Sequence, residues 1–137
     1  MKTILEILKR AGGWHPGLNL KIENPPYMAL VIEALDESDP MGLPALSVCH
    51  YGEQNGDLMR DPEMCFELGR VGGLYLDPFY FRNDYTGTEQ WSRAIVRDHY
   101  THISGLHDQH KQFAEQWDNN LRLQSFAEAF ESQTPRA

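Results

Sequence analysis

The segment from His50 to Glu63 holds the side chains of this sequence that are best suited to chemistry. Carboxylates beside a histidine can hold Mg²⁺, Mn²⁺ or Ca²⁺ through oxygen ligands, or can act as a general acid and a general base. The alternative is a solvated turn, in which the carboxylates flank a bend and an arginine pairs with one of them. The members of this segment are His50, Tyr51, Glu53, Asp57, Arg60, Asp61 and Glu63.

A second group consists of histidines three residues apart. His99 and His102 form one pair, and His107 and His110 form another. On a helix, such a pair shares one face and can ligate a transition metal. A Ser-Gly dipeptide separates the two pairs, so they can point apart, and helix-surface histidines are common. We therefore predict no metal site and no cofactor.

A third group lies in the turn that follows residue 82. Asn83, Asp84 and Gly87 are residue types that favour any tight turn. Tyr85 and the nearby Gln90 would also suit a recognition loop. Together with the hairpin segment, this turn defines a candidate binding surface. Its residues are His50, Tyr51, Glu53, Asn55, Asp57, Arg60, Asp61, Glu63, Asp84, Tyr85 and Gln90.

No recognised catalytic motif accompanies these residues. The sequence contains no G-x-S-x-G, P-loop, G-x-G-x-x-G or H-E-x-x-H pattern, and no visible setting for a nucleophilic serine or cysteine. An enzyme is therefore the less favoured interpretation.

The net charge of −8 is unevenly distributed along the chain. Residues 33–89, which we call the acidic belt, carry 12 acidic and 3 basic side chains, whereas the rest carries 8 acidic and 9 basic. Phosphate backbones attract basic surfaces, so direct nucleic-acid binding is disfavoured. An acidic belt can instead bind cations or a basic protein, imitate a nucleic acid, or simply keep the protein soluble.

The length of 137 residues suits one domain, which we place at residues 1–132 with a loose tail over 133–137. The N-terminus does not resemble a secretory signal, and no apolar run approaches the roughly 20 residues needed to cross a bilayer. We therefore predict a cytoplasmic protein without membrane contact. Cys49 and Cys65 lack a C-x-x-C spacing, and we expect both to be free thiols.

Apolar periodicity predicts one N-terminal helix over residues 3–11 and then six strands. An acidic connection over 36–44 and turns at 72–73 and 84–87 separate some of these strands. On the fifth strand, Phe79 and Phe81 are predicted to share one face and Tyr80 to take the other. The predicted strands cover residues 18–22, 28–35, 46–51, 63–68, 74–81 and 88–96.

The Asn55-Gly56 dipeptide is the strongest hairpin signal, because both turn positions must tolerate positive φ. A regular ladder from this turn would set apolar Val48 against charged Glu63. One extra residue near Pro62 shifts the ladder and sets Val48 against Met64. Proline cannot donate to a ladder and belongs at irregularities, so we predict a β-bulge around Pro62.

The last third of the chain changes to helical spacing. Phe113, Trp117 and Leu121 lie four residues apart, which predicts an amphipathic helix over 106–131 with a break near 119–120. These three side chains and Phe126 should be buried.

The elements together predict the α+β class: an antiparallel meander of five to six strands, with the N-terminal helix and the long C-terminal helix packed on one face.

Three blocks of the sequence carry a family resemblance. They read HYGEQNGDLMRDPEM at 50–64, RNDYTG at 82–87 with Gln90, and Phe113-Ala114 with Trp117-Asp118 and Asn120-Leu121. Over about residues 27–123 the chain resembles an uncharacterised bacterial family, a domain of unknown function met on plasmids, conjugative elements and prophages. The resemblance implies that setting and no activity. The chain departs from the pattern at Gly52, where an aromatic residue is expected.

These observations favour a non-catalytic, acidic protein-interaction module of a mobile element, one version being a counter-defence protein that occupies a nucleic-acid-binding site. The alternative is a divalent-metal-dependent hydrolase or nuclease that uses His50, Asp57, Asp61 and Glu63. A third interpretation is a small-ligand binder with a pocket between sheet and helix. The partner protein is not identified by the sequence, and a homodimer stays open.

Overall fold

The computed structural model describes residues 1–35, 43–69 and 75–133. Within these residues an α+β fold is built on an antiparallel sheet, as the sequence predicts. Residues 36–42 of the connection predicted over 36–44, the turn at 72–73, and residues 134–137 of the tail predicted over 133–137 lie outside the described residues. No described helix combines the length and the apolar character needed to cross a membrane.

The N-terminal helix α1 spans Lys2–Arg10. Its buried side chains Ile4, Ile7 and Leu8 recur at helical spacing and form the stripe that packs on the core. The helix ends before two glycines, Gly12 and Gly13, which both have positive φ. The helix predicted over 3–11 is confirmed.

Six strands form the main sheet, and their order in space is their order in the chain. Every neighbouring pair is antiparallel, so the sheet is a meander. The strands are β1 Asn19–Ile22, β2 Ala29–Ala34, β3 Ala45–Gln54, β4 Asp57–Leu68, β5 Leu76–Asn83 and β6 Thr88–Trp91.

The predicted single strand over 88–96 is wrong. The chain leaves the sheet after Trp91 and continues as β7, Arg93–Val96, which pairs with β8, His99–His102, in a separate two-stranded sheet. The reason is the hydrogen bonding of Ser92. Its N–H donates to the carbonyl of Phe79 at 3.0 Å, while its own carbonyl accepts from the N–H of Ile103 at 2.9 Å.

The C-terminal helix is divided into α2, Ser104–Leu123, and α3, Phe126–Gln133. The break lies at Ser125, whose φ is 61°, and not near 119–120 as the sequence suggested. Trp117, Leu121 and Phe126 are buried as predicted, but Phe113 is 36% exposed. Phe113 lies at the rim of the core, where its ring meets Phe81 edge-on at 5.1 Å.

The three helices cover one face of the sheet, which we call the helix face. The opposite face carries a smaller cluster of Ala45, Cys65, Phe79 and Tyr80. The prediction that Phe79 shares a face with Phe81 is wrong, because the β4–β5 register shifts between Cys65 and Phe66. That shift turns Phe79 to the side of Tyr80, whereas Phe81 stays against the helices.

The hairpin of β3 and β4 contains the predicted register shift. Tyr51 pairs with Arg60 near the turn, whereas Cys49 pairs with Glu63 and Val48 with Met64 beyond it. Strand β4 therefore holds one more residue than β3 over this interval, at Asp61-Pro62. The shift keeps Val48 and Met64 buried together on the helix face.

Deletion of Asp61 tests this register. Strand β4 then loses only its extra residue, so the side chains of all later residues stay on the same side of the sheet. We expect a folded protein of reduced stability. Deletion of Cys65 is the control, because the chain must then turn Glu63 or Glu67 into the core. Urea unfolding and a ¹H–¹⁵N correlation spectrum report the outcome. Equal loss of folding in both deletions would contradict the assigned register.

Candidate functional site

The sheet separates His50 from most of the other polar residues of its segment. His50 lies on the helix face, where its ring is 5.5 Å from that of Trp117 and 5.4 Å from that of Phe126, between ring centroids. Its Nδ1 is 3.4 Å from the carbonyl oxygen of Ala29. Burial lowers the pKa of this imidazole below its ordinary value. His50 is therefore a neutral side chain of the core boundary.

Asp84 is the centre of an ion-pair network at the edge of the opposite face. Arg60 donates to its carboxylate through the backbone N–H at 2.8 Å and through Nε at 3.0 Å. Arg82 donates to it through Nε at 2.9 Å and also reaches Glu89 at 3.1 Å. The hydrogen bond from the backbone of Arg60 is the largest reason that the pKa of Asp84 is lowered to about 2.

Glu63 joins this network on the opposite face. Its carboxylate accepts a hydrogen bond from the Ser47 hydroxyl at 2.6 Å and lies 3.9 Å from a nitrogen of Arg60. Cys49 and Cys65 are buried beside it, and both are free thiols as predicted. Burial raises the pKa of Cys49 to about 12 and also raises that of Cys65, so neither supplies a thiolate near neutral pH.

The remaining predicted residues lie at the end of the β3–β4 hairpin or beside it. Glu53, Asn55 and Asp57 are exposed around the turn. Asp61 accepts a hydrogen bond from the side chain of Asn83 at 2.7 Å. The carboxamide oxygen of Gln90 lies 3.1 Å from Nε2 of His110, on the helix side.

Tyr51 belongs to the opposite face. It pairs with Arg60 across the hairpin and is half-buried beside Cys49 and Glu63. Desolvation is the main cause that raises the pKa of its phenol to about 12.

The eleven candidate residues thus divide among the helix face, the opposite face and the hairpin end. His50 and Glu63 point to opposite sides of one sheet, so they do not form a common acid–base pair. Among the residues that the structure describes, no group of three or more histidine, cysteine or acidic side chains could hold a metal ion. The described geometry therefore gives no support to the metal-dependent hydrolase.

The histidines do not form the pairs that their spacing in the sequence suggested. His99 and His102 lie on β8, not on a helix, and His102 instead meets His107 of α2, with Nε2 and Nδ1 3.2 Å apart. The other nitrogen of His107 is 2.6 Å from Asp77, and Asp77 is 3.3 Å from the buried Arg93. These contacts join the β7–β8 hairpin to the main sheet and to α2.

A cleft of about 330 Å³ opens on the helix face between α2, the hairpin and the segment before β2. His50 and Trp117 form its floor, and Trp117 is only 5% exposed. The indole Nε1 of Trp117 is buried without a hydrogen-bond partner among the described residues. The lining residues are Tyr27, Met28, His50, Pro62, Phe113, Gln116, Trp117, Asn120 and Gln124.

Gly52 connects this cleft with the candidate turn. A Cβ at this position would lie 2.6 Å from the hydroxyl of Tyr85 and 3.2 Å from the sulfur of Met28. The absent side chain therefore lets Tyr85 and Met28 close over the hairpin, although both remain partly exposed. An aromatic side chain at position 52 would displace Tyr85.

Comparison with known proteins gives one match. A family model described as a domain of unknown function, DUF6908, matches residues 2–127. The chain belongs to the DUF6908 family. No curated protein and no solved structure matches the chain. The match confirms that the resemblance noted in the sequence is to an uncharacterised domain family, and it adds no activity.

The sequence did not indicate two parts of this DUF6908 domain. Arg82 and Glu89 complete the Asp84 network, but the registers that bring them there include a bulge at Phe79, and the neighbouring Pro78 does not by itself fix those registers. Tyr27 and Met28 line the cleft, although the sequence pattern places Met28 at the start of a predicted strand and Tyr27 just before it.

Because of the Asp84 network, we predict that the stability of the DUF6908 domain decreases in acid. Because the folded-state pKa of Asp84 lies below its ordinary value of 3.8, its contribution is present above that value and is lost as the pH falls toward about 2. Asp84→Asn should lower the free energy of unfolding at neutral pH and reduce its loss on acidification. Urea unfolding at about pH 7, 4 and 2.5 measures both effects.

Asp57→Asn, at the exposed hairpin end, is the matched control and should leave the pH dependence unchanged. An Asp84→Asn variant with the same loss of stability on acidification as the wild type would contradict the assignment of this network.

Proposed function

We propose that this chain is a non-catalytic protein-interaction module that binds a partner protein at its hairpin end. The observation that carries the proposal is the exposed group formed by Tyr27, Met28 and Tyr85, with Glu53 and Asp57 on the adjoining turn. We call these five residues the hairpin-end surface. Exposed tyrosine and methionine side chains next to a cleft are typical of protein-binding sites.

The charges of the acidic belt favour the hairpin-end surface as the binding site over the whole acidic belt. Most carboxylates of the opposite face are already paired: arginine side chains bind Glu63, Asp84 and Glu89 at one end. The buried Arg93 binds Glu67 and Asp77 at the other. Among the described residues of the acidic belt, Glu53 and Asp57 are exposed and form no ion pair, so they place unpaired negative charge beside the exposed aromatics. The partner we propose therefore carries a basic segment next to an apolar anchor.

The biological setting is part of the proposal. The HYGEQNGDLMRDPEM block resembles a family of plasmids, conjugative elements and prophages, and we propose a cytoplasmic accessory protein of such an element. A counter-defence protein is one form of this function. In that form, Glu53 and Asp57 would occupy a basic site of a host defence protein, and the adjoining Tyr85 would supply apolar contact.

Affinity capture from host cells that carry the element tests the proposal. The wild-type chain should recover a partner that Tyr85→Ala loses by tenfold or more, because truncation removes an aromatic contact from the centre of the surface. Tyr100→Ala is the matched control, since Tyr85 is 46% exposed and Tyr100, on the separate β7–β8 hairpin, is 48% exposed. Recovery that is equal for all three proteins would contradict the proposal.

A double substitution, Glu53→Gln with Asp57→Asn, tests the charged part. It should weaken capture mainly at low salt and slow association, because exposed charges steer encounter more than they hold the complex. Equal capture by the wild type and this variant at low salt would contradict the proposal that the partner carries a basic segment.

A further inference from the structure

The cleft beside the hairpin-end surface has walls of a particular chemistry. Aromatic rings of Tyr27, His50, Phe113 and Trp117 line it, together with the sulfur-containing side chain of Met28. A cleft that is lined by aromatic rings accommodates another aromatic ring well, because aromatic pairs favour tilted and edge-to-face contacts. The volume of about 330 Å³ lies at the small end of ligand pockets, which span roughly 300–1,000 Å³, and suits one side chain better than a large cofactor.

The lining carries no formal charge at neutral pH. Its carboxamide groups belong to Gln116 and Asn120 of α2 and to Gln124 directly after the end of that helix, at intervals of four residues. The lowered pKa of His50 keeps the imidazole neutral as well. A cationic or anionic group would lose its hydration here without gaining a counter-charge, so the lining selects an uncharged occupant.

The indole of Trp117 contributes its ring to the cleft and not its N–H. Nε1 is buried without a hydrogen-bond partner in the described chain and is closed to solvent, so an occupant of the cleft contacts the edge of the ring.

We infer that this cleft receives one uncharged aromatic side chain of the bound partner, which packs against the rings of the lining. The inference rests on the proposed function and extends it. Tyr27 and Met28 belong both to the cleft and to the hairpin-end surface, so a segment that lies across that surface can place one residue in the cleft. The basic residues of the same segment then lie near Glu53 and Asp57.

The first test uses probe molecules and the full chain. N-acetyl-tyrosinamide and N-acetyl-tryptophanamide are titrated while the indole N–H signal of Trp117 and the ring signals of His50 are followed by NMR. Both signals should shift saturably, with half-saturation on the order of millimolar, as small fragments bind. N-acetyl-lysinamide and N-acetyl-leucinamide should shift them less than one third as far. Equal shifts with all four probes, or none, would overturn the inference.

The second test fills the cleft. Asn120→Phe places a ring at the lining, whereas Asn119→Phe places the same ring on the next residue of α2, which is exposed and does not line the cleft. Asn120→Phe should abolish the probe shifts and reduce partner capture by tenfold or more. Asn119→Phe should leave both unchanged, and thermal melting confirms that both variants fold.

The two proposals can fail separately. Capture that depends on Tyr85 but is the same in Asn120→Phe and in the wild type would overturn the aromatic anchor and leave the interaction module standing. Absence of Tyr85-dependent capture would instead overturn the proposed function. The probe titration decides whether the cleft binds an uncharged ring in either case.

Discussion

The extra residue at Asp61-Pro62 is the constraint on which both faces of the sheet depend. Strand side chains alternate, so a single inserted position decides which residues of β4 meet the helices. With it, Met64 and Phe66 face Val48 and Leu46 in the core. Both Arg60 and Glu63 then lie on the opposite face, within reach of each other. The core and the ion-pair network therefore follow from one register.

This arrangement explains why the described ionisable residues of the His50–Glu63 segment do not converge on one site. The carboxylates of the opposite face are held in ion pairs by Arg60, Arg82 and Arg93. The thiols beside them are buried, and burial keeps them protonated. Such groups stabilise a surface and limit its reactivity. The binding surface that we propose therefore lies at the hairpin end and in the cleft beside it, away from these paired groups.

Much of the fold was predictable because its signals are local. The Asn55-Gly56 turn has positive φ at both residues, as its composition requires, and the mismatch of Val48 with Glu63 revealed the register shift. The spacing of Trp117 and Leu121 predicted the helix that closes the core. Each of these signals lies within a short stretch of sequence.

The errors arise where distant contacts decide the structure. The split between β6 and β7 depends on the hydrogen bonds of Ser92 to Phe79 and Ile103. No pattern in the neighbouring sequence predicts these hydrogen bonds. The β5 bulge that turns Phe79 follows Pro78, a residue type that is found at bulges, but the proline alone does not give the register on either side of it. The cleft was expected only as a general space between sheet and helix. Its lining joins Tyr27, from the segment before β2, to Trp117 of α2, and sequence periodicity does not predict that such residues meet.

The position of the His50 ring tests this account most directly, because it reports the register, the helix face and the floor of the cleft at once. In a NOESY spectrum of the folded protein, the ring protons of His50 should give cross-peaks to the indole of Trp117, whose ring centroid is 5.5 Å away. Cross-peaks from His50 to Ser47 or Cys65 on the opposite face, with none to Trp117, would contradict the register and the site built on it.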